Sequence, residues 1–258
     1  MIPIPRHRPA QLLAITALGF AALGCATLAP VVPVLEWDRS AEQEVIVYNC
    51  SGGLVPNEVW TNEIKAFRLW GDGRALWSVD GAGGSRSVYT ARFSEAEVVA
   101  VLNEIAARRF FSMADGYEPA QEIMDGGACQ IRVELIDTAK SVIALTGSNP
   151  PADFGALEAY LARGADHAGD AFIPDRGYLL ATPISESLSA TSAHWPAEGI
   201  DGIRLSEAQS GLWVEGEALQ TAWAIVNASI FNVVESDGQA YRVAVQVEDV
   251  TTLWPNNP

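Results

Sequence analysis

Apolar and polar positions change period along the chain, and each change marks an element. Residues 12–23 (LLAITALGFAAL) form an apolar run interrupted only by Thr16, too short to span a bilayer and without a polar face. Residues 26–43, with Pro30 and Pro33 and no sustained period, predict a tether. Glu44 to Cys50 (EVIVYNC) is rich in β-branched residues and predicts a strand that Ser51-Gly52-Gly53 ends. Lys65 to Val79 predicts a β-hairpin around Gly71-Asp72-Gly73. A two-residue Asp72-Gly73 turn pairs Leu69 with Leu76 and puts Trp70 and Trp77 on one face. A three-residue turn pairs Phe67 with Trp77 and separates the two indoles. The two-residue turn is the expectation.

Ser87 to Phe93 predicts a third strand. Ser94-Glu95-Ala96-Glu97 reads as a capping box, and Val98, Val101, Leu102 and Ile105 at helical spacing predict a helix over about 95–108. Arg108 and Arg109 suit its C-terminal turn. Cys129 to Asp137 and Lys140 to Leu145 predict two strands, and Pro150-Pro151 opens a helix with the stripe Phe154, Leu157 and Leu161. Strands, helix, strands, helix is the order of an α+β lobe: an antiparallel sheet with two helices packed on one face.

Polar residues 164–175 predict a boundary. Beyond it, Gly177 to Thr182 predicts a strand, residues 183–199 a loop, Ile203 to Val214 extended pieces, and Glu217 to Asn227 a helix with Leu219, Trp223 and Val226 inward. Phe231 to Glu235 and Ala240 to Glu248 predict a hairpin about Asp237-Gly238. The expected organisation is a leader over 1–24, a tether over 25–43, an α+β domain over 44–167 and a smaller C-terminal α+β lobe over 168–258, the two lobes packed separately or as one unit. The spacing of Val98, Leu102, Ile105 and Phe110 recurs in Leu219, Trp223, Val226 and Phe231, a match that any amphipathic helix followed by a strand also produces.

Arg6 and Arg8 ahead of the apolar run, and Ala22-Leu23-Gly24 before Cys25, make the leader read as a lipoprotein signal with Cys25 as the lipidated residue. Ala22 stands where that motif usually has Leu, so ordinary secretory cleavage after Gly24 or Ala26 stays open. Cys50 and Cys129 then remain as an even pair, expected to form a disulfide in an oxidising compartment; a reactive thiol is the alternative. The formal charge of −16 becomes more negative once Arg6 and Arg8 leave with the leader. Such a body repels phosphate backbones, which argues against nucleic acid as a partner.

No zinc, nucleotide or hydrolase-elbow motif is present, so no cofactor and no catalytic residue is assigned. Asp115, Glu118, Glu122 and Asp125 share a loop but lack the alternating order of a calcium site. Ser192 and His194 with a distant Asp are the formal ingredients of a hydrolase; His167 is the other histidine beyond the leader. Trp60, Trp70, Trp77 and Trp195 fall on or near loops and the hairpin, where exposed rings stack on sugars or fill a partner's pocket; core packing is the competing role. Trp70 and Trp77, with Arg68 placed for a cation–π contact with Trp77, are the candidate binding residues.

Tyr48-Asn49-Cys50-Ser51-Gly52-Gly53, Phe67 through Gly73, Ser94-x-x-Glu97 and Asp125-Gly126-Gly127-Ala128-Cys129, taken in order, resemble a family of uncharacterised bacterial lipoproteins over residues 44–163. The resemblance implies an exported, envelope-associated domain and carries no catalytic residues. The expectation is therefore a lipid-anchored, extracytoplasmic interaction protein with a protein or glycan ligand, held to the membrane through its N-terminal lipid. The alternative is an envelope hydrolase with scattered active-site residues.

Overall fold

The computed structural model describes residues 35–53, 55, 57–121, 123–185 and 192–252, apart from the Glu58 side chain. The leader and Cys25 lie outside these residues, as do Glu122 and the middle of the loop predicted over 183–199. In chain order come β1 (Glu44–Gly52), α1 (Asn57–Thr61), β2 (Phe67–Trp70), β3 (Arg74–Asp80), β4 (Arg86–Arg92) and α2 (Glu95–Ala107). Then follow β5 (Gly116–Tyr117), β6 (Gly127–Glu134), β7 (Ala139–Leu145), α3 (Ala152–Ala162), β8 (Asp170–Ala171) and β9 (Gly177–Ile184). The chain continues through β10 (Ala193–His194), β11 (Leu212–Val214), α4 (Gly216–Ala228), β12 (Val234–Ser236) and β13 (Gln239–Gln246). The fold is α+β with two sheets, ordered β5-β7-β6-β1-β2-β3-β4-β8 and β10-β12-β13-β9-β11. All pairings are antiparallel except the short edge pairs β5–β7 and β10–β12. The predicted boundary segment supplies β8, the last strand of the first sheet. Within 203–214 the expected extended pieces shrink to β11, because Leu205–Ser210 coils into a 3-10 turn that buries Leu205 and Ala208.

Local signals and structure agree at the helices. Ser94 Oγ accepts from the Glu97 amide and the Glu97 carboxylate takes the Ser94 N–H at 2.7 Å, so the capping box closes. The stripes of α2 and α3 both pack on one face of the first sheet, against Ile46, Phe67, Leu69, Trp77 and Ile131. The helix-then-strand echo does not hold: Phe110 is buried in a 3-10 turn, whereas Phe231 is exposed and precedes β12.

The hairpin β2–β3 departs from expectation. Phe67 pairs with Trp77 and Leu69 with Ala75, so the loop has three residues, with Gly73 at φ 86°. The cause lies outside the hairpin. Gly71 N–H donates to Gln43 O at 2.8 Å and Gly71 O accepts from Trp37 Nε1 at 3.0 Å, so neither group is left for a ladder. A Cβ on Gly71 would sit 1.9 Å from Asp38 O, which explains why glycine is needed there. The same contacts correct the predicted tether: Trp37 is buried in the core, and residues 35–43 belong to the folded body.

With that register the two indoles separate. Trp77 joins the helix-side core, while Trp70, Leu76 and Val88 face the other way into a second core shared with Trp195, Leu219, Val243 and Val245. Helix α4 touches β13, β9 and β4, so the two lobes pack as one unit across this face. Polar side chains stitch the junction. β12 pairs with β13 only as far as Tyr241; beyond it, Asn232 takes both backbone groups of Val243 (N–H at 2.8 Å, O at 3.0 Å). Asn62, from the first lobe, takes the Val245 N–H at 2.7 Å and Val243 O at 3.2 Å. These amides continue the ladder where the strand has ended.

Glu44 anchors the first sheet through Arg68, Arg132 at 2.6 Å and Lys65 at 3.4 Å. Burial pushes its carboxyl up, but Arg68, Lys65 and Arg132 together outweigh that and hold it below the usual carboxylate range. A lowered folded-state pKa stabilises the fold above the unfolded value, and the stabilisation is lost as pH falls through the folded value. Glu44→Gln is therefore expected to cost about 2 kcal/mol at neutral pH and progressively less below about pH 4. Urea midpoints of both proteins at neutral and acid pH check this; an equal difference at both would contradict it.

Candidate functional site

The candidate site follows from unequal strand lengths. β2 begins at Phe67, opposite Tyr48, while β1 runs on to Gly52 paired only with β6, and β3 runs on to Asp80 paired with β4. The chain leaves this gap through α1, and the notch is a cavity of about 580 Å³ lined by Asn49, Trp60, Glu63, Asp80, Arg86 and Cys50, among others. Arg86, on β4, is 8% exposed at its side chain; it donates from Nη1 to Asn62 O at 2.8 Å, and its Nε lies 3.8 Å from Asp80. Burial draws the guanidinium pKa down, against Asp80 and Glu63, and Glu63 accepts from Asn49 Nδ2 at 2.9 Å. One cation, two carboxylates, an amide and the half-buried Trp60 indole thus face one cavity. Such a lining suits orientation of a polar ligand.

Sequence-predicted residues fall elsewhere. Trp70 and Trp77 are 5% and 3% exposed on opposite faces of the sheet, and Trp195 is fully buried with Nε1 donating to Ile203 O, so none of the three offers a stacking surface. Of the four tryptophans singled out, Trp60 is the one that lines the notch. Arg68 lies 5.0 Å over Trp70, not Trp77, and is also bound to Glu44 and Asp249 O. Its aromatic contact is internal.

Cys50 and Cys129 form a disulfide directly across the β1–β6 register. It closes a loop of sequence separation 79, worth about 4 to 5 kcal/mol in the chain-entropy view. The bond is consistent with an extracytoplasmic location. Among the described residues no helix is long and apolar enough to cross a membrane. The acidic loop does not converge: Asp115 is paired with Lys140. The metal-like grouping found among the described residues is Cys50, Cys129 and Glu158, whose sulfurs are already bonded to each other.

His194 Nδ1 lies 2.7 Å from Glu235 Oε2, and Glu235 is held below its usual range first by the Gly238 amide and then by His194. The acid is thus a glutamate on β12, and the pair sits on the surface. His167 packs on the Phe93 ring and faces Glu97 at 3.3 Å, tying the α3–β8 connection to α2. The notch residues Asn49, Glu63 and Arg86 carry no motif, because they come from separate elements that meet only in the folded sheet. No family model, curated protein or solved structure matches this chain.

Proposed function

We propose that this chain is a lipid-anchored, extracytoplasmic interaction protein of the bacterial cell envelope, taking a protein or glycan ligand in the notch of its first sheet. The observation that carries the address is the Cys50–Cys129 disulfide, whose sulfurs persist as a bond in an oxidising compartment. The leader ending at Cys25 supports the same address, and the resemblance to bacterial lipoproteins agrees with it. The ligand reading rests on the notch, where Arg86, Glu63, Asn49 and Trp60 converge from four parts of the chain.

Two acyl chains or more hold a protein firmly on a bilayer, where one binds only marginally. Cys25→Ser is accordingly expected to move the full-length chain from the membrane fraction of a bacterial host to the soluble fraction and to abolish palmitate incorporation. Unchanged membrane fractionation of the variant, or a natural product that keeps Met1 in the cytosol, would refute the anchor. For the ligand, NMR titration of the full chain with envelope glycan fragments and short peptides should shift Asn49, Trp60, Glu63 and Arg86 together. Shifts confined to other surfaces would reject the notch as the site.

A further inference from the structure

We propose that Cys50–Cys129 is a thiol–disulfide exchange site that acts on a thiol-bearing protein partner, with Glu158 as its proton donor and Tyr48 as the hydrogen-bond donor to the Cys50 sulfur. This goes beyond the binding reading and needs no ligand in the notch.

Exchange requires a sulfur that a partner thiolate reaches, a leaving sulfur, and a means of handling the proton. Cys50 is exposed and lines the cavity, whereas Cys129 is half-buried against the helix-side core. Attack is therefore at Cys50, and Cys129 is the leaving sulfur. Glu158, on α3, places a carboxylate oxygen and both sulfurs within 4.8 Å of one another. The carboxylate has no hydrogen bond or ion pair among the described residues, and burial raises its pKa, so it holds its proton at higher pH than an ordinary glutamate. A purely structural crosslink has no use for an unpaired, half-buried carboxyl, which costs stability.

The Tyr48 hydroxyl lies 3.1 Å from Cys50 Sγ. Burial first, and Glu158 second, push this phenol up to about 12, so it keeps its proton and donates to the sulfur. Donation to a thiolate favours the charged form, which makes Cys50 the nucleophile of the reduced pair. The charged groups lining the cavity beside Cys50 are Glu63, Asp80 and Arg86. Glu63 is engaged by Asn49, whose side chain leaves β1 on the face opposite Cys50, and Asp80 and Arg86 face each other.

The chemistry balances. A partner thiolate attacks Cys50 Sγ, the partner–Cys50 bond forms, the Cys50–Cys129 bond breaks, and Cys129 leaves with the electron pair and takes the Glu158 proton. The partner's second thiol returns a proton to the Glu158 carboxylate and attacks the mixed disulfide, releasing Cys50 as a thiolate held by Tyr48. The partner dithiol is oxidised to a disulfide, and Cys50 and Cys129 are reduced.

The test treats the folded full-length protein with dithiothreitol, without denaturant, and traps each cysteine with iodoacetamide for mass spectrometry over about pH 5 to 9. The wild-type rate per dithiothreitol thiolate should rise as pH falls through the Glu158 titration, and Glu158→Gln, a neutral isostere, should lose that rise and react about tenfold more slowly. Tyr48→Phe should raise the pH midpoint of Cys50 alkylation by about one unit and leave Cys129 unchanged. A Glu158→Gln rate equal to wild type at every pH would overturn the proposal. So would reduction that proceeds only at the global unfolding rate, and either result stands if Tyr48→Phe does not fold.

Discussion

Trp77→Ala should lower folding stability by about 3 to 5 kcal/mol, because a large apolar ring leaves a cavity that its neighbours cannot fill. The indole is 3% exposed, stacks on Tyr89 with centroids 5.7 Å apart, and is flanked by Gly164 and Gly169. A Cβ added at those glycines would meet the ring at 2.4 and 2.2 Å, so the backbone on that side is moulded to the indole. For a body of this size the loss corresponds to about 6 to 20 °C in Tm. Urea denaturation checks it directly. A ring displayed for ligand binding would leave the midpoint where it is, so an unchanged midpoint would refute the buried placement.

The second large effect is expected at a small polar residue. Asn62→Ala leaves the buried Val245 N–H without a partner and removes one of the two donors to Val243 O. An unsatisfied buried group costs about 1 to 3 kcal/mol, and a second term arises because Asn62 joins the lobes, so about 3 kcal/mol in all is expected. Asn62→Asp separates the two roles: its oxygen can still accept from Val245 N–H, but Val243 O keeps only the Asn232 donor and a charge is buried. The Asp variant should therefore be no more stable than the Ala variant at neutral pH. Hydrogen exchange should speed at Val245 in the Ala variant, and protection at wild-type level there would contradict the stitch.

Much of the secondary structure was legible, and the reason is local. The capping box at Ser94, the stripe of α3 and the Asp237-Gly238 turn each depend on residues within a turn or two. In that hairpin Asp237 and Gly238 both take positive φ, 51° and 72°, as a two-residue turn that matches strand twist demands. Gly71-Asp72-Gly73 carried much the same signal and obeyed a different constraint, because Trp37 and Gln43 had already engaged both backbone groups of Gly71. The notch was illegible for a related reason. Asn49, Trp60, Glu63 and Arg86 are unremarkable singly, and they converge only because β2 starts later than its neighbours end.

By itself, then, the sequence determined the α+β class, the helices α2, α3 and α4, the C-terminal hairpin and the pairing of its two downstream cysteines; α1 falls where it predicted a polar loop. Tertiary structure alone decided the side of the sheet each indole occupies, the docking of residues 35–43, the reach of Asn62 to a strand 181 positions away, and the cavity. Caps and periodicity are settled by neighbours a few residues apart, whereas a sheet face is settled by register. A shift of one residue, imposed by a distant segment, sends every side chain of a strand to the opposite side.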